Sequence, residues 1–259
     1  MSDLQGILWI ELRKIFRSKI PLWTSLGSVL MPLGIAFLIF VSKNPEISKK
    51  LGLISVKADL IAYSATDWQT YIGLSGMMIA AGGFVIFVII ISWVFGREFV
   101  DRTLKDMLAV PIKRSKIILG KFIVSAILSA MLTIVILIVS LVMGAVIKLP
   151  GGSLNVILNG IALVFISAGL TFLVVVPFGF LASIGRGYLL PVGAAVLTLI
   201  MTNIIALAGW GEVFPWAIPG LFAQGKITQY PLSIFLVAVT CLIGMAATYT
   251  WYKYADQHQ

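Results

Sequence analysis

An all-α, polytopic membrane protein with six transmembrane helices is the fold class this sequence predicts, and three observations predict it. Hydrophobic residues make up 60% of the chain and charged residues only 11%, with a mean hydropathy of +1.06, far too apolar for a soluble domain of this length. Apolar runs at about 21–41, 71–95, 122–147, 154–181, 188–208 and 231–251 each reach the roughly 20 residues a helix needs to cross a bilayer. No polar interval between them exceeds roughly 30 residues, well short of a typical domain. The whole of 1–259 therefore reads as a single transmembrane domain with no room for a soluble catalytic unit.

The N-terminal stretch 4–19 sets Leu4, Ile7, Leu8, Leu12, Ile15 and Phe16 along one helical face, with Glu11, Arg13, Lys14 and Arg17 elsewhere. That pattern predicts an interfacial helix in the membrane plane. A cleavable signal peptide fits poorly, because the apolar run after it is long enough to span and no small-residue cleavage site follows. The second run offers Gly73, Gly76, Gly82 and Gly83 for close helix packing. The polar interval 43–70 reads as a small outer loop. Asn159, Thr171, Thr198, Thr202 and Asn203 are polar positions within the runs, where hydrogen bonds between helices are expected.

Six spans put both termini on one side. That side carries 13 of the 19 Lys and Arg residues and the other carries 6, so the positive-inside rule places both termini in the cytoplasm of a cell-membrane protein. The net charge of +9 belongs to loops beside anionic lipid headgroups, so membrane lipid, and no nucleic acid, is the expected partner for it. Cys241 is the sole cysteine and lies within the last run, and the sole histidine, His258, is penultimate. Neither a disulfide nor a metal site can be assembled from them.

The only dense charge cluster lies between the second and third runs, over 97–121. As a helix, 98–108 would set Phe99, Val100, Leu104, Met107 and Leu108 on one side and Glu98, Asp101, Arg102, Lys105 and Asp106 on the other. Glu98 with Arg102, Asp101 with Lys105, and Arg102 with Asp106 would then be opposite charges four apart, and Pro111 would end the helix. A solvated connector accounts for this pattern equally well. Lys113, Arg114 and Lys116 gather where the third span begins, a position at which the helix dipole prefers anions, so some other group must favour them there.

The same stretch resembles the signature of type-2 ABC transporter permeases. Glu98, Thr103-Leu104-Lys105, Met107-Leu108, Pro111-Ile112, Lys113-Arg114 and Leu119-Gly120-Lys121 stand at the matching positions. The resemblance implies a cytoplasmic coupling helix that docks onto a separate ATP-hydrolysing subunit. Phe99, Leu104, Met107 and Leu108 would be its apolar anchor and Glu98, Arg102 and Lys105 its polar contacts. Arg102 departs from the family, which often has glycine just before the threonine. A helix tolerates arginine better there, so an uninterrupted helix is expected.

After the fifth run, 209–230 is aromatic and apolar yet broken by Pro215 and Pro219. Phe214-Pro215-Trp216-Ala217-Ile218-Pro219 resembles a motif of the bacitracin-resistance and lantibiotic-immunity branch of the same family. That likeness implies re-entrant helices in the outer leaflet, with Trp210, Phe214 and Trp216 bordering a substrate exit. An aromatic belt at headgroup depth would use the same residues.

Absent motifs narrow the mechanism. Gly120-Lys121 and Gly225-Lys226 lack the upstream glycine and the hydroxyl residue of a phosphate loop, so ATP hydrolysis is expected in a partner and no cofactor or catalytic residue in this chain. The ten acids all fall in loops or at span ends, whereas ion-coupled carriers usually keep charge within the membrane. The expectation is the permease subunit of an ATP-driven exporter for an amphipathic peptide, antibiotic or lipid-like substrate. It would pair with a second permease half, identical or different, and with cytoplasmic ABC ATPase subunits. An ion-coupled secondary transporter and a non-transporting membrane anchor for an ATPase are the alternatives.

Overall fold

The computed structural model describes residues 3–43, 67–103 and 112–254. Helix α1 (Asp3–Phe16) precedes the first span, α2 (Ile20–Lys43). The second span is α3 (Trp68–Met78), a π-helical turn (Ile79–Gly83) and α4 (Phe84–Val100). The third is α5 (Arg114–Val146). The fourth is α6 (Leu154–Val175) with α7 (Pro177–Ile184), and the fifth is α8 (Leu189–Leu207). A 3-10 turn (Gly211–Val213) and the short α9 (Ile218–Ala223) lead to the sixth span, α10 (Tyr230–Tyr254). Among the described residues there is no strand, and six helical stretches are long and apolar enough to cross a membrane.

The second and third spans are longer than their apolar runs. Each has 33 residues, or about 50 Å at 1.5 Å per residue, against a hydrocarbon core of about 30 Å. Hydropathy marks only the part of a helix at the depth of the hydrocarbon core, while the backbone stays helical as long as its hydrogen bonds and neighbours hold. Asp67 starts α3 with a capping box: its carboxylate accepts from Thr70 N–H at 2.9 Å, and Thr70 Oγ1 accepts from Asp67 N–H at 3.4 Å. Pro177 breaks the fourth span, since it has no N–H to give the preceding turn.

The second span is the hub. In its most apolar stretch 61% of residues are buried, against 11% for α8, which turns Leu197, Ile200 and Ile204 outward. Phe87, Ile90, Ile91 and Phe95 of α4 pack with Val124 of α5 and Val174 of α6 in the core. Gly76 is one of the close-packing glycines: a Cβ there would lie 2.7 Å from Leu163 and 3.2 Å from Ala223 Cβ, so its bare face seats both α6 and α9.

The polar positions within the spans serve their own helices. Thr171, Thr198, Thr202 and Asn203 each donate to the carbonyl four residues earlier, at 2.7–2.8 Å, instead of reaching a neighbouring helix. A hydroxyl or amide on a helix has the carbonyl of its own preceding turn within reach. Among the described residues, Ser75 Oγ to Ser140 Oγ, at 3.3 Å, does join two spans.

Candidate functional site

Four charged side chains from three elements meet where the end of α4, the second turn of α5 and α1 come together. Lys121 Nζ lies 2.6 Å from Glu98 Oε2 and 2.7 Å from Oε1, and it also donates to Val94 O at 2.7 Å. Lys14 of α1 reaches Glu98 Oε1 at 3.4 Å and Glu11 Oε1 at 2.8 Å, while Glu11 Oε2 is 4.0 Å from Lys121. Lys121 is 0% exposed, Glu98 3% and Glu11 6%. Two acids and two lysines are electrically balanced, which is the condition for keeping charges out of water.

Local structure explains the pairing. Glu98 sits in the last turn of α4, where the helix dipole is unfavourable to an anion, so a cation must compensate. Gly120 makes room for it: a Cβ there would lie 2.6 Å from Ile7 Cγ2, so the glycine lets α1 settle directly against the helix that carries Lys121. Burial pushes the Glu11 carboxyl up, but the Lys121 and Lys14 ammoniums outweigh it and hold it below the usual carboxylate range.

The expected continuous helix over 98–108 is not what forms. Helix α4 ends at Val100 with Asp101 as its cap, and Arg102 takes φ 56°. Thr103 N–H donates to Glu98 O at 3.0 Å and Arg102 N–H to Phe99 O at 3.4 Å, the paired bonds of a Schellman stop. Arginine thus occupies, in left-handed backbone, the position at which the family often has glycine. The turn also removes the expected pair of Glu98 with Arg102, because helical spacing of four no longer applies. Glu98 turns to Lys121 instead, and Arg102 is exposed.

Asp101 takes Arg97 as its partner at 3.0 Å. Phe99 meets Trp251 edge to face at 5.5 Å between centroids and lies 6.4 Å from Tyr252, joining the end of α4 to the end of α10. Leu104, Lys105, Asp106, Met107 and Leu108 lie outside the described residues. Of the basic cluster at the start of α5, Arg114 is accounted for: its Nη1 donates to Tyr252 O at 2.7 Å, capping the C-terminal turn of α10.

Lys121, Glu11 and Lys14 were missed as members of this site. Lys121 is the last residue of the quoted signature and directly precedes an apolar run, a weak signal. Glu11 and Lys14 looked like the water-facing side of an interfacial helix, and only tertiary packing shows otherwise.

On the far side of the bundle, Trp210 is 70% exposed. The Phe214 and Trp216 rings lie 5.2 Å apart, and Trp216 Nε1 donates to Val174 O at 2.9 Å, beside the break at Pro177. Trp216 therefore pins the segment after the fifth span to the fourth. Glu212 closes the loop by accepting from Thr228 Oγ1 at 2.8 Å, Thr228 N–H at 3.1 Å and Gln229 N–H at 3.0 Å. The Thr228 hydroxyl and these amides hold its carboxyl below the usual range.

Six apolar helices bound into one bundle make this a multi-pass membrane protein. Residues 7–204 match the family model of ABC-2 family transporter proteins, and the chain belongs to that family. It is thus a transporter membrane subunit rather than an enzyme, and membership implies association with an ABC ATPase. Among curated proteins it is similar to a bacitracin transport permease protein, BCRB, of Bacillus licheniformis. The two are 28% identical over 186 residues, covering 68% of this chain and 86% of the relative. The charge cluster falls within the family match, and the segment 209–230 lies beyond it.

Proposed function

We propose that this chain is one permease half of an ATP-driven exporter for an amphipathic peptide, antibiotic or lipid-like molecule. It works with a second half and with ATPase subunits that dock on the face carrying both termini. The single observation that carries the reading is the Glu98–Lys121 pair, buried under α1. A push on the chain between α4 and α5 cannot move α4 alone, because the ion pair ties its last turn to α5 and Lys14 ties it to α1. Closure of an ATPase pair would then be felt in the second and third spans together.

Glu98, Phe99 and Arg102 stand at the root of that contact, with Leu104, Lys105, Met107 and Leu108 as the docking residues. The cytoplasmic orientation rests on the 13 to 6 division of Lys and Arg. The name of the bacitracin permease supports an antibiotic-like cargo and a role in resistance. Trp210, Phe214 and Trp216 would border the exit, since aromatic rings combine apolar area with a preference for the membrane interface.

The test is flux of an amphipathic peptide antibiotic into inside-out vesicles that hold this chain and its ATPase. ATP-dependent uptake is expected. Uptake driven by a pH gradient without ATP would point to an ion-coupled carrier, and ATPase binding without any uptake to a membrane anchor.

A further inference from the structure

Beside the ion-paired cluster, α1 and the end of α4 enclose an open cavity of about 410 Å³ whose charged lining is entirely cationic: Arg13, Lys14, Arg17 and Arg97. Two of these cations are already matched, Lys14 by Glu11 and Glu98 and Arg97 by Asp101. The other two are not. Arg13 lies over the Trp9 ring at 4.9 Å, and neither Arg13 nor Arg17 has an acidic partner among the described residues. They stand four apart on α1, one turn of helix, so both guanidinium groups can address one ligand.

A second cavity begins next to them. Phe16 and Ile20 open an apolar groove of about 270 Å³ that runs between the start of α2 and α5, along Thr24, Leu128, Met131 and Leu132. Its first residue, Phe16, is adjacent in sequence to Arg17. Exposed Trp9, Ile10 and Trp23 add apolar surface around the same corner. A basic pocket for a phosphate and an adjoining apolar groove for a chain together match one kind of molecule.

We infer that Arg13 and Arg17 hold the phosphate of an anionic phospholipid, with an acyl chain laid in the Phe16–Leu132 groove. Guanidinium forks match phosphate oxygens in bidentate geometry, and the groove supplies what a free anion does not need. An acidic protein surface would fit the arginines but leave the groove unused. Arg97 of α4 lines the same pocket, but the two unmatched arginines and the groove lie on α1, α2 and α5, so the inference does not depend on the exporter reading.

The experiment is lipid binding by the purified full-length chain in detergent, read by native mass spectrometry against phosphatidylglycerol, phosphatidylcholine and inorganic phosphate. Wild type should retain phosphatidylglycerol over phosphatidylcholine. The double variant R13Q/R17Q should lower that preference by about 30-fold, near fivefold for each cation at the membrane surface. R13K/R17K should keep most of it, and K226Q, on the opposite side of the bundle, all of it.

Met131→Trp, filling the groove, should weaken binding of the diacyl lipid while a short-chain phosphatidylglycerol still binds. Size-exclusion profiles matching wild type establish that the variants are folded, and the groove variant tests the site even if the arginine variant does not assemble. Unchanged phosphatidylglycerol retention in folded R13Q/R17Q overturns the assignment. So does displacement of the lipid by an equal concentration of inorganic phosphate, which marks a free-anion site. Loss of ATPase co-purification with lipid retention intact also overturns it, and assigns the arginines to a protein partner.

Discussion

Lys121 Nζ lies 2.6 Å from Glu98 Oε2 while also donating to Val94 O at 2.7 Å, so one fully buried ammonium binds both the side chain and the backbone of the helix that precedes the proposed docking chain. The contact links the first and last charged residues of a signature spread over 24 positions, from Glu98 to Lys121. In this chain the two ends of the quoted signature are therefore joined by a tertiary contact.

The first prediction follows from burial. Lys121→Met leaves the Glu98 carboxylate short of its main partner and should destabilise the protein by about 3–5 kcal/mol, the usual cost of orphaning one member of a buried pair. Glu98→Leu combined with Lys121→Met should lie much nearer wild type, because no charge is then stranded. Thermal unfolding midpoints of the two single variants and the double variant in detergent check this. A double variant as unstable as the sum of the singles would mean the two residues are not coupled.

Topology gives the second. In a Cys241→Ser background, Ile47→Cys and Leu104→Cys should label with a membrane-impermeant thiol reagent from opposite sides of the membrane. Labelling from one side would overturn the six-span map and, with it, the assignment of the docking chain.

The aromatics after the fifth span separate exit from anchoring. Trp216→Phe keeps the ring but loses the bond to Val174 O, which should cost about 1 kcal/mol of stability and little transport. Phe214→Ala with Trp216→Ala should reduce export while co-purification with the ATPase stays intact. Unchanged export in that assembled variant would leave these residues as a membrane belt.

Much of the architecture was legible because the bilayer imposes it: spans must be long, apolar and helical, and all six runs fall on helices of the bundle. The end of α4 was not legible. A run of alternating charges such as 98–108 fits a helix by periodicity, yet Arg102 adopts φ 56° and stops it. The reason is tertiary: Glu98 and Phe99 are drawn into the bundle by Lys121 and Trp251, and the chain must turn away directly after them. The cluster was half visible for the same reason. Glu98 stood out as an acid at a span end, but nothing in the sequence says that Glu11 and Lys14 of an amphipathic helix face inward onto it.

Glu212 supplies a pH prediction. Its carboxyl is held below the ordinary value of 4.5 by the Thr228 hydroxyl and the Thr228 and Gln229 amides. A depressed acid stabilises above its unfolded value, and that contribution fades as pH falls through the folded one. Hydrogen-exchange protection of the Thr228 and Gln229 amides, corrected for intrinsic rates, should hold from neutral pH down to about 4.5 and fall below it. Glu212→Ala should lack the protection at every pH. Protection that persists in Glu212→Ala would mean the loop is closed by other contacts.

The most direct measurement of the central claim is ATP-dependent uptake of an amphipathic peptide antibiotic into inside-out vesicles by Glu98→Lys assembled with the ATPase. The substitution sets a third ammonium against Lys121 and Lys14 in a space of low dielectric. It should separate the ends of α4 and α5 while leaving the rest of the bundle in place. The account predicts that the variant still binds the ATPase but loses most ATP-driven uptake and most stimulation of hydrolysis by the cargo. A folded, assembled Glu98→Lys with wild-type uptake and stimulation would contradict it.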